Sequence, residues 1–260
     1  MLDIFEIEIS KSLDAKPELL PFIPELLADL WELGSSTDLV VELFRPLNLS
    51  PKTTRVLDLG CGKGAVSITL AHKLGFQVFG IDGFRPFLEE AKLKSKEHNV
   101  SDLCHFEYGD IRESIKKDEI FDIVIYAAIG DVLGGFNECV GKLRHTIRPG
   151  GYMLIDDGFL KESVKIEKER YGHYVSHGET VKQLTSFGDI LLKEKVFTAE
   201  ETRTMNKKYT VMIRQRAKKL ANDHPELADS FFWYLRNQEE ECEILETDVV
   251  GAVWLLQRKV

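Results

Sequence analysis

Cysteine is scarce in this chain. Its four residues, Cys61, Cys104, Cys139 and Cys242, include no pair at the C-x-x-C spacing of a redox couple or half a zinc site. A disulfide framework is not expected, and reduced thiols point to a cytoplasmic setting. Long apolar runs are also missing, so no membrane span is expected. The first ten residues, M-L-D-I-F-E-I-E-I-S, carry neither the basic cluster nor the apolar core of a secretion signal. Positive charge is in deficit: 34 Lys and Arg stand against 43 Asp and Glu, for a net charge of -9. That balance argues against the basic stripe by which proteins grip nucleic acid. Two local runs, Lys92 to Lys96 and Arg214 to Lys219, fall in helical patterns and read as solvated helix faces. No nucleophilic triad, metal-ligating cluster, low-complexity tract or flexible linker stands out. What is present is a globular composition, 43% hydrophobic and 30% charged over 260 residues, with ample material for a core.

The most informative stretch is V-L-D-L-G-C-G-K-G, Val56 to Gly64. An apolar run carries an acid, Asp58, and leads into glycines at every second position: Gly60, Gly62 and Gly64. A helical pattern follows at once. Glycine lets the backbone turn tightly and approach a ligand closely, and a helix start offers unpaired N–H groups. The turn alone does not name its ligand, because Gly60, Gly62 and Ala65 also satisfy the relaxed dinucleotide pattern G-x-G-x-x-G/A.

Further apolar runs of strand length lie at 77–81, 103–108, 121–127 and 151–156, with the first at 55–59. Helical patterns at 64–74, 85–98 and 135–148 separate them; Pro86 suits a first turn and Gly75 a C-terminal stop. This alternation predicts an α/β fold, a doubly wound parallel sheet with helices on both faces. Right-handed crossovers place every strand's C-terminal end on one edge, where ligands of open sheets bind. Asp58, Asp82, Asp110 and Asp156 all stand at such ends. The first three also have ordinary readings: Asp82 and Asp110 as helix caps, Asp58 as a buried structural acid.

The sequence resembles the class I S-adenosylmethionine-dependent methyltransferases. The resemblance is carried by the Asp58 to Gly64 motif, by F-G-I-D (Phe79 to Asp82), Y-G-D-I (Tyr108 to Ile111), F-D-I-V-I-Y-A-A (Phe121 to Ala128) and R-P-G-G-Y-M-L-I-D (Arg148 to Asp156), and covers roughly residues 52 to 158. It implies S-adenosyl-L-methionine as cofactor, no metal, and a seven-stranded Rossmann-like sheet whose closing strand, here 249–257, runs antiparallel. It further implies that Asp82, followed by Gly83, accepts from the ribose hydroxyls and that Asp110 with the N–H of Ile111 reads the adenine. Asp58, Gly60, Cys61, Gly62 and Ala127 would line the rest of the cofactor site.

The whole chain reads as one methyltransferase domain: a helical cover at 1–50, a cofactor core at 51–158, helices with a sixth strand at 159–248, and a closing strand at 249–260. In the cover, Leu19, Ile23, Leu26, Leu27 and Leu30 share a helical face ended by Gly34, and Ser35 or Ser36 caps a second helix from Asp38. Trp31, Gly34, Ser35 and Ser36 are possible pocket residues or plain core and caps. After the fifth strand, 159–188 gathers Tyr171, His173, Tyr174 and His177; Asp189 to Phe197 reads as a strand, and helices follow at 199–222 and 225–246, split at Asp223-His224-Pro225. This layout loosely resembles cyclopropane-fatty-acid synthases and small amine methyltransferases.

Candidates for a general base are Asp131, Asp157 and His173, with Asp156 and Tyr126 behind them. The loop Y-A-A-I-G-D lacks the N-P-P-[FY] clamp of enzymes that methylate flipped bases, so a small-molecule acceptor is expected rather than nucleic acid. The alternatives are a non-catalytic or macromolecule-directed cofactor binder, and an NAD-dependent oxidoreductase.

Overall fold

The computed structural model describes residues 4–162 and 171–260, so residues 163–170 of the 159–188 stretch lie outside the described residues. In chain order the helices are α1 (Ile4–Ser12), α2 (Ile23–Leu26), α3 (Thr37–Phe44), α4 (Ala65–Leu74), α5 (Arg85–Glu97), α6 (Ile111–Ser114), α7 (Phe136–Leu143), α8 (His177–Leu184), α9 (Ala199–Asp223) and α10 (Ala228–Thr247). The strands are β1 (Arg55–Leu59), β2 (Gln77–Asp82), β3 (Cys104–Tyr108), β4 (Phe121–Ala127), β5 (Ile147–Leu160), β6 (Ile190–Val196) and β7 (Val249–Gln257). They pack as two compact units. One takes the chain up to Trp31 with Phe197–Val250; the other takes Glu32–Val196 with Gly251–Val260.

The second unit holds a seven-stranded sheet in the order β3-β2-β1-β4-β5-β7-β6. The pairs β1–β2, β1–β4, β2–β3 and β4–β5 are parallel, and β6–β7 is antiparallel. Continuous burial of Ile123, Val124 and Ile125 in β4 and of Met153, Leu154 and Ile155 in β5 is the signature of strands covered on both faces. The edge strand β6 is mostly exposed, and its run Lys193, Glu194, Lys195 guards it against pairing with other chains.

Two local expectations give way. β5 starts at Ile147, before the expected 151, and α7 ends at Leu143 rather than 148. The register slips between Phe121 and Ile123, and the extra residues are absorbed at Gly150-Gly151. A Cβ at Gly151 would stand 2.7 Å from the Asp122 carbonyl, which is why this bulge takes glycine.

The first unit is helical. Asn206 donates to Glu246 at 3.2 Å and Arg214 to Glu239 at 2.6 Å, so α9 and α10 run antiparallel. The capping box read from Thr198 and Glu201 opens α9, with both bonds formed. Arg216 pairs with Asp29, and Lys219 with Glu25, binding the N-terminal segment to α9. That segment is not one helix. Pro21 and Pro24 break it into a 3-10 turn at Pro17–Phe22 and the short α2. The face is nonetheless buried throughout: Leu19, Ile23, Leu26, Leu27 and Leu30. No helix among the described residues is long and apolar enough to cross a membrane.

Candidate active site

The parallel register draws the strand ends together. Leu59 lies beside Ile81, Asp82 beside Tyr108, and Ala127 beside Asp156. The glycine turn leaving β1 is stitched to β2, since Gly60 N and Cys61 N donate to the Ile81 carbonyl at 2.8 and 3.0 Å. Gly60 and Gly62 hold φ of +68° and +53°, the left-handed region that glycine enters without strain. A Cβ at Gly60 would stand 2.8 Å from Ile129, so the bare backbone lets the loop after β4 close against the turn.

Asp82 is the organiser of this edge. Its Oδ2 accepts from Gly62 N at 2.8 Å and its Oδ1 from Phe84 N at 2.8 Å. One carboxylate thus holds the glycine turn and the entry to α5, with Gly83 between. Burial pushes the Asp82 carboxyl above its ordinary value, and the two backbone N–H groups oppose the shift.

Asp58 is buried and takes the Ser67 hydroxyl of α4 at 2.5 Å, behind the turn. Burial lifts it to about 7, against the Ser67 bond and helped by the Asp82 charge. The folded protein therefore holds this proton more tightly than the unfolded chain does. That stabilisation is present at acid pH and is lost as the pH rises from about 4 through about 7. Asp156, lifted to about 6, and Asp157, lifted to about 7, act with the same sign. Asp58→Asn is expected to make the fall in stability across this window shallower; urea midpoints at a series of pH values measure it.

Asp110 caps α6, its Oδ1 accepting from Arg112 N at 2.8 Å, and it pairs with the Arg112 guanidinium at 2.7 Å. Burial raises its pKa, but the hydrogen bonds and charge of Arg112 outweigh that and hold the carboxyl below its ordinary value. The cap was legible from sequence; the Arg112 partner was not. Ile111 is buried in the first turn of α6. Cys61 is buried, and its thiol is pushed up by burial and by Asp82 and Asp58, which makes it a packing group rather than a nucleophile.

Sequence reasoning missed Lys63. Its side chain is fully buried, with Nζ 3.1 Å from Glu90 of α5 and over the Phe87 ring. A lysine between two glycines gives no sign of such burial; Glu90 lies far along the chain.

On the β4–β5 side, Tyr126 donates to the Gly130 carbonyl at 2.7 Å and accepts from Leu133 N at 3.1 Å. Burial pushes its pKa up, so it braces the loop and is a poor base. Ala127 ends β4, and Ala128 N donates to the Asp156 carbonyl at 2.9 Å. Gly34 packs against this loop, where a Cβ would meet that of Ala128 at 2.5 Å. Ser35 faces Asp156, while Ser36 caps α3 by accepting from Leu39 N. Trp31 falls in the helical unit.

Asp131, Asp157 and His173, named separately from sequence, come together here. His173 Nδ1 is 3.8 Å from Asp131 and Nε2 is 3.8 Å from Asp157. Tyr174 donates its hydroxyl to Asp157 at 2.7 Å, and Tyr171 stacks on Tyr174 at 6.0 Å. His177 stands apart, bonded to Glu194 at 2.8 Å. Among the described residues no group of His, Cys, Asp and Glu could hold a metal ion.

A family model described as a methyltransferase domain matches residues 50–223, more than half of the chain. The uncharacterized protein YjhP of Escherichia coli (strain K12) is 32% identical over 120 residues, 46% of this chain and 48% of that protein. A ubiquinone biosynthesis O-methyltransferase of Rickettsia akari (strain Hartford) is 31% identical over 100 residues, 38% of this chain and 38% of that protein. The matched stretch thus spans less than half the length of these curated relatives. The crystal structure of a SAM-dependent methyltransferase from Geobacter sulfurreducens, in complex with S-adenosyl-L-homocysteine, shares the fold with a TM-score of 0.78 at 20% identity, over 92% of this chain and 98% of that one. With the strand-end motifs on one sheet edge and the domain match running through all of them, the chain belongs to the class I S-adenosylmethionine-dependent methyltransferases.

Proposed function

We propose that the protein transfers a methyl group from S-adenosylmethionine to a small-molecule acceptor, chiefly by holding the two in line. The observation that carries this reading is the Asp82 carboxylate bonded to Gly62 N at the end of β2, one strand away from Asp110. The residues fit the cofactor by the chemistry of their donor set: the carboxylates of Asp82 and Asp110, for hydroxyl and amine donors, stand at neighbouring strand ends beside a glycine turn in the left-handed region. Asp82 would take the ribose hydroxyls, Asp110 with Ile111 N the adenine, and the Gly60–Gly62 backbone with Asp58 behind it the methionine end, Cys61 and Ala127 packing alongside.

S-adenosylmethionine supplies a methyl already activated on a sulfonium, so transfer needs an acceptor lone pair aligned behind it. Positioning can supply about 7–11 kcal/mol of the barrier. A base adds about 10²–10⁴-fold, or roughly 3–5 kcal/mol. Alignment is therefore the larger effect. A small acceptor suits the net charge of -9 and the name of the R. akari relative. The four free thiols suit a reducing cytoplasm. Calorimetry with S-adenosylmethionine, S-adenosylhomocysteine and NAD tests the reading. Binding of the first two and not of NAD is expected; the reverse pattern sinks it.

A further inference from the structure

Resting on the methyltransferase reading, we propose that Asp157, His173 and Asp131 form a proton relay from the buried acceptor site to solvent, and that the acceptor atom is a hydroxyl oxygen. The two imidazole nitrogens face two different carboxylates at the same distance, 3.8 Å. Exposure rises along the row: the side chains of Asp157, His173 and Asp131 are 6%, 8% and 53% exposed. The order is thus a buried carboxylate, a buried imidazole and a carboxylate at the surface. Tyr174 holds the other oxygen of Asp157, which leaves Oδ2 for the histidine. The ring is kept in this orientation by Tyr174, 4.1 Å between centroids, and by the edge of Phe136 at 6.3 Å. At 3.8 Å these are charge contacts just outside hydrogen-bond range, and the relay carries a proton when the row tightens around a bound acceptor.

Transfer to a hydroxyl forms an O–CH3 bond and breaks the CH3–S and O–H bonds. The C–S electron pair goes to sulfur, which becomes a neutral thioether. The hydroxyl proton goes to Asp157, from there to Nε2 of His173, and the proton on Nδ1 leaves to Asp131 and water. Burial, opposed by the Tyr174 bond and reinforced by the neighbouring charges of Asp156 and Asp131, lifts Asp157 to about 7, which suits a group that must accept a proton near neutrality. The same carboxylates disfavour an amine acceptor. An ammonium among Asp131, Asp156 and Asp157 would hold its proton more tightly and withhold its lone pair. A thiol, with a pKa near about 8.5 against about 10 for a phenol, ionises with little help. A hydroxyl is the acceptor that needs a route for its proton.

The test uses the full chain and two matched sets of probes that differ only in the acceptor group: 4-methylphenol, 4-methylbenzenethiol and 4-methylaniline, and hexanol, hexanethiol and hexylamine, the last an ammonium at neutral pH. Release of S-adenosylhomocysteine is followed. The parent is expected to methylate the hydroxyl member of at least one set. His173→Gln is expected to lower hydroxyl transfer by about 10²–10⁴-fold, with a far smaller loss on the thiol and unchanged S-adenosylhomocysteine affinity. Exogenous imidazole is expected to restore part of the hydroxyl activity to His173→Ala. Asp131→Asn, at the surface and safe for folding, should slow hydroxyl transfer in the same selective way. Equal losses on hydroxyl and thiol, a parent that methylates only amines, or no transfer to any hydroxyl probe would overturn the relay. The calorimetric result separates the two readings. Tight S-adenosylhomocysteine binding with any of those failures removes the relay alone, whereas no binding removes the methyltransferase reading beneath it.

Discussion

Trp254→Ala is expected to destabilise the protein by about 3–5 kcal/mol, the usual cost of truncating a fully buried large aromatic. Trp254 is completely buried in β7, between β5 and β6 in the sheet. Its ring meets the edge of Phe136 of α7 at 5.6 Å and lies 6.5 Å from Phe159 of β5. Its Nε1 donates to Glu194 of β6 at 2.6 Å. The side chain therefore joins three strands and a helix that sequence separates widely. Alanine leaves a cavity and removes a donor from a carboxylate that also holds His177. Trp254→Phe divides the two effects: it keeps most of the packing and loses only the N–H, a hydrogen bond to a charged group worth about 1.5–3 kcal/mol. Urea unfolding followed by near-UV circular dichroism measures both. A loss under about 1.5 kcal/mol for the alanine variant would mean that the residue is not the sheet's anchor that its burial implies.

The sheet was legible because its strands are read from local signals. β1, β2 and β4 are short, mostly apolar runs, as suits doubly covered parallel strands, and β3, at the sheet edge, alternates as C-H-F-E-Y with Phe106 buried. The observed Phe121–Ala127 and Arg55–Leu59 coincide with the expected runs. Asp82 was found as a strand-end acid, and the cap at Asp110 as an Asp before a short turn. What stayed hidden depends on partners distant in sequence. β5 extends back through Arg148, Pro149 and Gly150 because β4 offers a slipped register, which no local pattern signals. The leucine face at 19–30 kept its burial and lost its helix, since two prolines inside it outweigh periodicity. Lys63 lies inside the protein where α5 brings Glu90 and Phe87 to it. The cluster of Asp131, His173 and Asp157 lies between these cases. Asp131 and Asp157 were nameable from the ends of the expected fourth and fifth strands and His173 from the aromatic cluster at 159–188, where a surface histidine was the plainer reading; the meeting of the two acids depends on β4 and β5 being neighbours with Ala127 beside Asp156.

Asp82→Ala is expected to weaken S-adenosylhomocysteine binding by about 100-fold or more, without unfolding the protein. Two losses add. The first is the direct bond to the ribose hydroxyls, worth about 1.5–3 kcal/mol for a charged acceptor, at about 1.4 kcal/mol per tenfold in affinity. The second is preorganisation. The carboxylate also fixes Gly62 N and Phe84 N, both at 2.8 Å, so its removal loosens the turn that would receive the cofactor. Asp82→Asn is not a mild control. One of its two terminal atoms becomes an N–H donor, and both positions face backbone N–H donors. It is therefore expected to fall between the parent and Asp82→Ala. Asp110→Ala should cost less than either change at Asp82, because Arg112 already shares that carboxylate and water reaches the pair. Calorimetric titration of the three variants gives the ranking. If Asp82→Ala binds S-adenosylhomocysteine within about twofold of the parent, the ribose assignment is wrong and the nucleoside lies elsewhere on the sheet edge.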